Sequence, residues 1–388
     1  MPNILYQIRA SIKETKNFFS IHDSENDDLT VYAINFLNSQ TYGELETNAT
    51  EFMNKILEIH GKINSVGGPA LTLNMIELHD PKIRDEHRLH FVHLINVFLL
   101  GLYIYHSMKQ VKEAIINDIV SSPNEIPSRN GLFNYSGGTE EGEFQYRWRL
   151  TAIGHDIGYP IELSKNRICN LLDYIKKLDN VQQDVTVFSD FERYNDWNIF
   201  SEIDSSVTSI NLRTYALYQK THPAHQKIFH DHGIYGANLF LRLMHESFDK
   251  EPCSIKRLNN YTIIFDLKLL HRGLKKIARA IALHNLDSYE DALKISQVEN
   301  DRLYKLYGES LAWLLKISDE LQEWYKFQIN NIPPRNIPLP PVELSIELQL
   351  DKIIVHNFPK SERDIKELLK KFMRYYSPSN LIQFDNVD

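Results

Sequence analysis

The chain has few of the residues that mark several large classes of protein. It contains only two cysteines, Cys169 and Cys253, and neither belongs to a CxxC pair, so a disulfide framework or a thiolate zinc site is not expected. No stretch approaches the ~18 consecutive apolar residues that a transmembrane helix needs. The longest apolar segment, FLLGLYIY at 98–105, has the length of a buried helix. We therefore expect a soluble cytoplasmic protein without a signal peptide.

The chain also has little excess of positive charge. Its formal net charge is −8 at pH 7, which argues against a general binder of nucleic acids or of anionic membranes. A local basic pocket for a phosphorylated small molecule remains compatible with this balance. With 388 residues, of which 43% are hydrophobic, the chain can build a sizeable core, as one large domain with appendages or as two domains.

Helical periodicity dominates most of the chain. Between 83 and 110, apolar residues recur every three to four positions, as on one face of a helix. The same spacing predicts further helices at 144–160, 227–248, 267–287 and 301–327. The sequence therefore predicts a mainly α protein.

The C-terminal part has a different pattern, which begins after a proline-rich connector, INNIPPRNIPLPP. VELSIELQL at 342–350 alternates apolar and polar residues, and KIIVHNF follows it. This pattern predicts a two-stranded sheet, followed by a capped helix from Ser361 to Tyr376. We therefore expect a small α+β appendage, a β-hairpin plus a helix, at 328–388.

The dipeptide His-Asp occurs four times, at residues 22, 79, 155 and 230. The first copy falls in the polar stretch HDSENDD, and Pro81 follows the second, so both are predicted to lie in surface turns. His155-Asp156 instead lies in the last turn of a largely buried helix that Gly158 and Pro160 end. Adjacent helical residues diverge by ~100°, so both can reach one cluster only near such an end.

Five predicted helices carry His or Asp at positions flanked by apolar residues. A buried Asp or His without a partner costs on the order of several kcal/mol, so several on core-facing stripes imply mutual satisfaction or a metal ion. Imidazole and carboxylate suit divalent ions such as Fe, Mn, Zn or Ni. Taken singly, each residue could instead be a hydrogen-bonded core residue or a residue on a helix surface, with no metal ion. The set is His93, His155, Asp156, His232, His284 and Asp319.

In this order the residues resemble the H…HD…H…H…D signature of the HD-domain metalloprotein superfamily, of the two-metal type. The segments that carry the resemblance span residues 84–325 and include GHDIG, DHGIYGANLFL, IALHNLD and LKISDELQEW. The resemblance implies a helical bundle and two divalent ions, Mn, Fe or another transition metal, bridged by Asp156 and by a hydroxide that acts as nucleophile. It assigns one ion to His93, His155 and Asp319, and the other to His232 and His284.

Two of these ligands have competitors nearby. His90 lies one turn before His93 on the same helix stripe, and which of the two is the first ligand stays open. His230 precedes His232, but only His232 fits the H-x-x-x-G-A pattern of two-metal members, because Gly236-Ala237 follows it at the required distance. The resemblance therefore favours His232 over His230.

The resemblance also implies a domain organisation. Residues 1–82 are a helical N-terminal extension, and 83–327 are the metal-binding helical domain. The intervals between its ligands exceed those of compact members, so 121–143 and 176–226 are interpreted as insertions. The segment 121–143 is rich in Ser, Gly, Pro and Asn, as expected of a long loop.

Several polar residues near the predicted ligands are candidates for contacts with substrate. Tyr159 and Glu162 follow the His-Asp pair and could position water or donate a proton to a leaving group. The candidate anion ligands are also compatible with solvated surface charges. They are Arg84, Arg88, Lys165 and Arg272, of which Arg88 and Lys165 are the preferred ones.

The resemblance implies a phosphohydrolase, either a phosphodiesterase or a nucleotidase, that cleaves a phosphoester of a nucleotide or a cyclic-nucleotide-like compound. Two departures weaken closer assignments. Tyr159 and Asn285 stand where cyclic-dinucleotide phosphodiesterases have lysine and histidine, and GYPIEL lacks the PF of the triphosphohydrolases. The alternatives are a di-iron oxygenase of a small polyol or phosphonate, and a nucleotide-sensing module. The expected partner is a phosphorylated small molecule, without nucleic acid or membrane.

Overall fold

The computed structural model describes residues 1–20, 22–58, 90–120, 139–159, 232–233, 236–237, 239–241, 256–258, 261–263, 267–285, 304–324, 335–378 and 380–385. Helix predominates in these ranges, which confirms the mainly α prediction. None of the described helices is long and apolar enough to cross a membrane. The predicted insertion at 176–226 and most of that at 121–143 lie outside the described ranges, and the predicted domain boundaries stay predictions.

The helices are α1 (Ile4–Glu14), α2 (Asp23–Leu37), α3 (Tyr42–Glu58), α4 (His90–Ser107), α5 (Lys109–Val120), α6 (Glu140–Gly154), α7 (Leu267–Leu283), α8 (Ser310–Leu321) and α9 (Glu362–Tyr375). The strands are β1 (Lys256–Leu258), β2 (Tyr261–Ile263), β3 (Tyr304–Lys305), β4 (Ser345–Leu348), β5 (Ile353–His356), β6 (Tyr376–Ser377) and β7 (Ile382–Phe384). Residues 232–233, 236–237 and 239–241 also have helical backbone.

Helix α4 lies at the centre of the core. It is apolar on nearly all sides, as expected of a helix surrounded by others, and it contacts α1, α3, α5, α6 and α8. Gly101 of α4 permits a close approach of α6, because a Cβ at this position would overlap the ring of Trp148. The indole Nε1 of Trp148 donates to the backbone oxygen of Phe98 at 3.0 Å. This contact fixes α6 against α4.

Helix α6, which leads into the His-Asp pair, begins at a capped N-terminus. The side chain of Thr139 accepts a hydrogen bond from the amide of Gly142 at 3.1 Å. Three glutamates in the first turn complement the positive end of the helix dipole. From Phe144 onward the helix is mostly buried, as the sequence predicted.

The N-terminal segment packs onto the same core. Phe18 and Phe19, in the link between α1 and α2, are fully buried. Gln145 of α6 donates to the backbone oxygen of Asn17 at 2.7 Å, and Arg149 donates to that of Phe19 at 2.8 Å. Helix α6 therefore holds this link in place through its side chains.

Some segments differ from the prediction. The helix predicted at 144–160 runs from Glu140 to Gly154, so it begins within the predicted loop and ends directly before the His-Asp pair. HDSENDD is not a surface turn, because α2 begins at Asp23, where Asp23 and Glu25 lie at the positive end of the helix dipole. The helix predicted at 301–327 is shorter, since β3 and a turn precede α8. Gly308 in that turn has φ of +101°, a conformation that side chains rarely permit and that breaks the helix.

The predicted hairpin and capped helix are present at the C-terminus. Strands β4 and β5 pair antiparallel, and Ser361 caps α9 by accepting from the amide of Asp364 at 3.2 Å. The sheet has three strands rather than the predicted two, because β7 pairs parallel to β5. It adjoins the helical core through α1, where the amide of Ile4 donates to the oxygen of Leu344 at 2.7 Å.

Candidate metal centre

The structure brings the six predicted ligands together. One group contains His93, His155 and Asp156 and another contains Asp156, His232 and His284, and within each group the ligand atoms lie within 4.8 Å of one another. Asp319 of α8 adds its Oδ1 at 3.2 Å from the Nε2 of His93. The described residues at this position could therefore hold metal ions.

Asp156 lies between two pairs of imidazoles. Its Oδ2 is 3.3 Å from the Nε2 of His155 and 3.7 Å from that of His93. Its Oδ1 is 3.5 Å from the Nε2 of His232 and 3.6 Å from that of His284. Each carboxylate oxygen thus faces a different pair, which is the arrangement of a bridging carboxylate.

The spacing within each pair matches that of two ligands of one metal ion. The Nε2 atoms of His93 and His155 are 3.3 Å apart, and those of His232 and His284 are 3.1 Å apart. Two nitrogens bound to one tetrahedral ion at about 2.0–2.1 Å lie about 3.3 Å from each other. The side chains therefore already have the separations that a shared cation requires.

Two helix ends set the tautomers of the histidines that follow them. The Nδ1 of His155 donates to the oxygen of Ala152 at 2.8 Å, just after α6, and the Nδ1 of His284 donates to that of Ile281 at 2.6 Å, just after α7. Both carbonyls belong to the last turn of a helix, where backbone oxygens have no hydrogen-bond partner within the helix. The Nε2 of each ring is thereby left with its lone pair toward the cluster.

Gln322 orients His93, and the sequence analysis did not single it out. Its amide Nε2 donates to the oxygen of Trp324 at 2.7 Å, so its Oε1 faces His93 and accepts from the Nδ1 at 2.6 Å. The Nε2 of His93 is then the atom available to a metal ion. The sequence offers little signal for it, since Gln322 directly follows Leu321, the last residue of α8, where a glutamine is ordinary.

Burial and charge set the protonation states. Burial alone would raise the pKa of Asp156, but the imidazoles around it, His155 first, hold that pKa well below its usual range. Burial would likewise raise the pKa of Asp319, but the His93 imidazole and the charge of Lys316 together hold that pKa well below its usual value. Burial lowers the pKa of His155 to about 4. Ionised carboxylates and a neutral imidazole are the forms that bind cations.

The turn after α6 fits closely against the third ligand element. A Cβ on Gly158 would collide with the backbone oxygen of His232 and the amide of Gly236, so only glycine permits this approach. The ring of Tyr159 meets that of His232 edge to face, with centroids 5.5 Å apart. Tyr159 therefore lies beside the pair formed by His232 and His284.

The other candidate residues are not placed. Arg84, Arg88, Glu162, Lys165 and His230 lie outside the described residues, as do the side chains of His90 and Arg272. Their predicted contacts with substrate therefore stay predictions. Of the two candidates for the first ligand, His93 lies in the cluster, and the side chain of His90 is outside the described residues.

Comparison of the chain with family models, with curated proteins and with solved structures gives no match. The contacts among these side chains are what indicates a metal centre.

Proposed function

We propose that the chain is a metal-dependent phosphohydrolase of the HD-domain type, a phosphodiesterase or nucleotidase that cleaves a phosphoester of a nucleotide or cyclic-nucleotide-like substrate. The observation that carries the proposal is the position of Asp156, whose two oxygens each face a separate pair of imidazoles. Asp319 extends the first pair, and the donor set contains no sulfur.

The donor set favours two cations over one. The two imidazole pairs lie on different oxygens of one carboxylate, and cations bridged in this way lie about 3.5–4 Å apart in two-metal sites. Such a pair of divalent ions supplies an activated water and neutralises charge that develops on a phosphoryl group. Asp156 and Asp319 carry two negative charges against four positive ones, so the loaded centre would be cationic and would attract a phosphate.

The residues around the centre would orient the substrate. Tyr159 lies beside His232 and keeps part of its surface exposed, so its phenol is placed to contact a group bound at that side. Arg88 and Lys165 are proposed as phosphate ligands, and Glu162 as a proton donor to the leaving group, on the basis of their positions in the sequence.

A second candidate function uses the same donors. Four imidazoles and two carboxylates also suit a pair of iron ions, and an oxygenase acting on a small polyol or phosphonate would need iron and O₂. The two functions differ in their requirement for oxygen, so activity without O₂ separates them. A nucleotide-sensing module would bind nucleotide and metal without turnover.

Metal analysis and a substrate panel test the proposal together. Protein purified without chelator should contain two metal ions per chain by mass spectrometry and should release phosphate or a nucleotide anaerobically with Mn²⁺. Asp156→Ala should abolish this turnover, whereas His22→Ala, at an exposed histidine directly before α2, is the matched control. Turnover that survives in Asp156→Ala, or wild-type protein without bound metal, would contradict the proposal.

A further inference from the structure

Both ends of helix α8, which carries Asp319, are held by the C-terminal unit, defined as residues 341–378 and 380–385. Upstream of α8, β3 pairs in parallel with β6 of this unit. Downstream, Lys360 and Lys371 form ion pairs with Glu323 and Glu320. The same unit therefore contacts the chain on either side of a predicted metal ligand.

At its C-terminal end, α8 itself does least to hold the residues of the metal centre in place. Asp319 lies in the last turn of α8, which ends at Leu321, and Gln322 lies beyond it. Terminal turns fray because their last carbonyls have no partner within the helix. The geometry of Asp319 and Gln322 consequently depends on what holds the residues around them.

Lys360 holds the residue next to Gln322. Its Nζ lies 2.9 Å from the Oε1 of Glu323, and the Glu323 side chain is only 8% exposed. A buried carboxylate is screened little by solvent, so removal of the Lys360 charge would weaken the compensation of the Glu323 charge. Lys360 also lies over the ring of Phe358, 5.6 Å from its centroid, so its own position is fixed.

Lys371 and Lys316 together hold the residue next to Asp319. The Nζ of Lys316, inside α8, lies 2.9 Å from the Oε1 of Glu320, and the Nζ of Lys371, on α9, lies 3.9 Å from the same atom. The longer pair is the weaker of the two contacts. It nevertheless joins α9 to the residue that directly follows the ligand.

We propose that the C-terminal unit positions the metal ligands, with Lys360 and Lys371 as positioning residues that act through Glu323 and Glu320 on Gln322 and Asp319. Neither lysine touches the centre. This inference rests on the proposed metal centre, and it assigns to the appendage a role in the affinity and geometry of the site that contains His93.

Lys360→Met in the full chain tests the inference, because methionine keeps the aliphatic stem and removes the charge. Binding of Co²⁺, followed by its visible absorption, should weaken by about 3- to 10-fold with a changed spectrum, less than the roughly 10- to 100-fold expected on loss of a direct partner of a ligand. Exchange of the two charges, Lys360→Glu with Glu323→Lys, should restore both the Co²⁺ affinity and the absorption spectrum. A purely structural role would lower the melting temperature without changing the spectrum.

The matched control is Lys55→Met, which breaks a Lys–Asp pair of the same length, 2.9 Å, between α2 and α3 and away from α8. It should leave the Co²⁺ affinity unchanged. Should Lys360→Met fold poorly, Lys371→Met removes only the longer contact to Glu320. Wild-type affinity and spectrum in either lysine variant overturn the inference and leave the proposed function intact, whereas wild-type protein that binds no metal overturns both.

Discussion

The Nδ1 of His93 donates to the Oε1 of Gln322 over 2.6 Å, and this bond joins α4 to a residue 229 positions later in the chain. Gln322 is itself held by the oxygen of Trp324, so its amide can present only its oxygen to the ring. The first predicted ligand, His93, therefore takes its tautomer from a neutral amide just beyond α8. His155 and His284 take theirs from backbone carbonyls.

Removal of this amide should weaken the metal site that contains His93. Gln322→Met preserves the length of the side chain but leaves the Nδ1 of His93 without an acceptor, so affinity for Mn²⁺ should fall by about 10- to 100-fold. Gln322→Glu keeps an acceptor and should bind at least as tightly as wild type. Isothermal titration measures both, and Gln110→Met, in α5, serves as the control. Equal affinities in the Met and Glu variants would contradict the prediction.

The close approach at Gly158 predicts a second, separable defect. Gly158→Ala places a methyl group against the backbone of His232 and Gly236, so the two segments must move apart. Overpacking of this kind costs about 1–3 kcal/mol of unfolding free energy. The second metal ion, between His232 and His284, should be lost first.

Gly273→Ala, in α7, is the matched control for Gly158→Ala. There the nearest atoms to the new Cβ belong to the end of the Arg147 side chain, at 3.4 Å, and alanine in a helix interior stabilises by about 0.5–1 kcal/mol relative to glycine. Urea unfolding should therefore show a loss of stability in Gly158→Ala and a gain in Gly273→Ala. Metal counting should show unchanged metal content in Gly273→Ala. Similar losses in both variants would refute the role of the close approach.

A partly buried histidine outside the metal centre, His106, should make the apoprotein sensitive to acid. Burial lowers the pKa of His106 from 6.5 to about 4, while the backbone oxygen of Phe18 accepts from its Nε2 at 2.9 Å and Glu141 and Lys112 contribute opposing charge effects. Because the unfolded state binds the proton more tightly, the contribution of His106 to stability is present above pH 6.5 and is lost as the pH falls toward 4. The loss should reach about 2–3 kcal/mol near pH 4.5.

Urea unfolding at pH 7 and pH 4.5, with chelator present, measures this loss. In His106→Phe, which preserves an aromatic ring against Phe18, the difference in unfolding free energy between the two pH values should shrink by about 2–3 kcal/mol. His22→Gln changes an exposed histidine instead and should leave the difference as in wild type. An unchanged difference in His106→Phe would show that other groups cause the acid sensitivity.

The parts of the fold that follow local rules could be predicted from the sequence. Periodicity located α4, α6 and α7, and the alternation after the proline-rich connector located β4 and β5, because each pattern reports on the burial of one face. Strand β7 was missed, since three alternating residues are too few to predict a strand and it pairs with β5 from a distant position. Gly308 was missed because a positive φ depends on the turn and not on composition alone.

The candidate ligands could be predicted for a similar reason. Asp156, His155 and His284 are polar residues on otherwise apolar stripes, so they were visible as exceptions to a pattern. Gln322 was not, because a glutamine just beyond a helix end is ordinary unless its partner is known, and His93 lies 229 residues away. Contacts such as Lys360 with Glu323 are likewise visible only once the chain is folded.

The two carboxylates should differ in how many metal ions their loss removes. Each oxygen of Asp156 faces a different imidazole pair, so Asp156→Asn should reduce metal content from two ions per chain to fewer than one. Asp319 contacts His93 of the first pair, so Asp319→Asn should leave about one ion, held by His232 and His284 with Asp156. Mass spectrometry after gel filtration counts the ions, with Asp28→Asn, at an exposed carboxylate of α2 that pairs with Lys55, as control. Equal metal content in the Asp156 and Asp319 variants would mean that Asp156 does not bridge two sites.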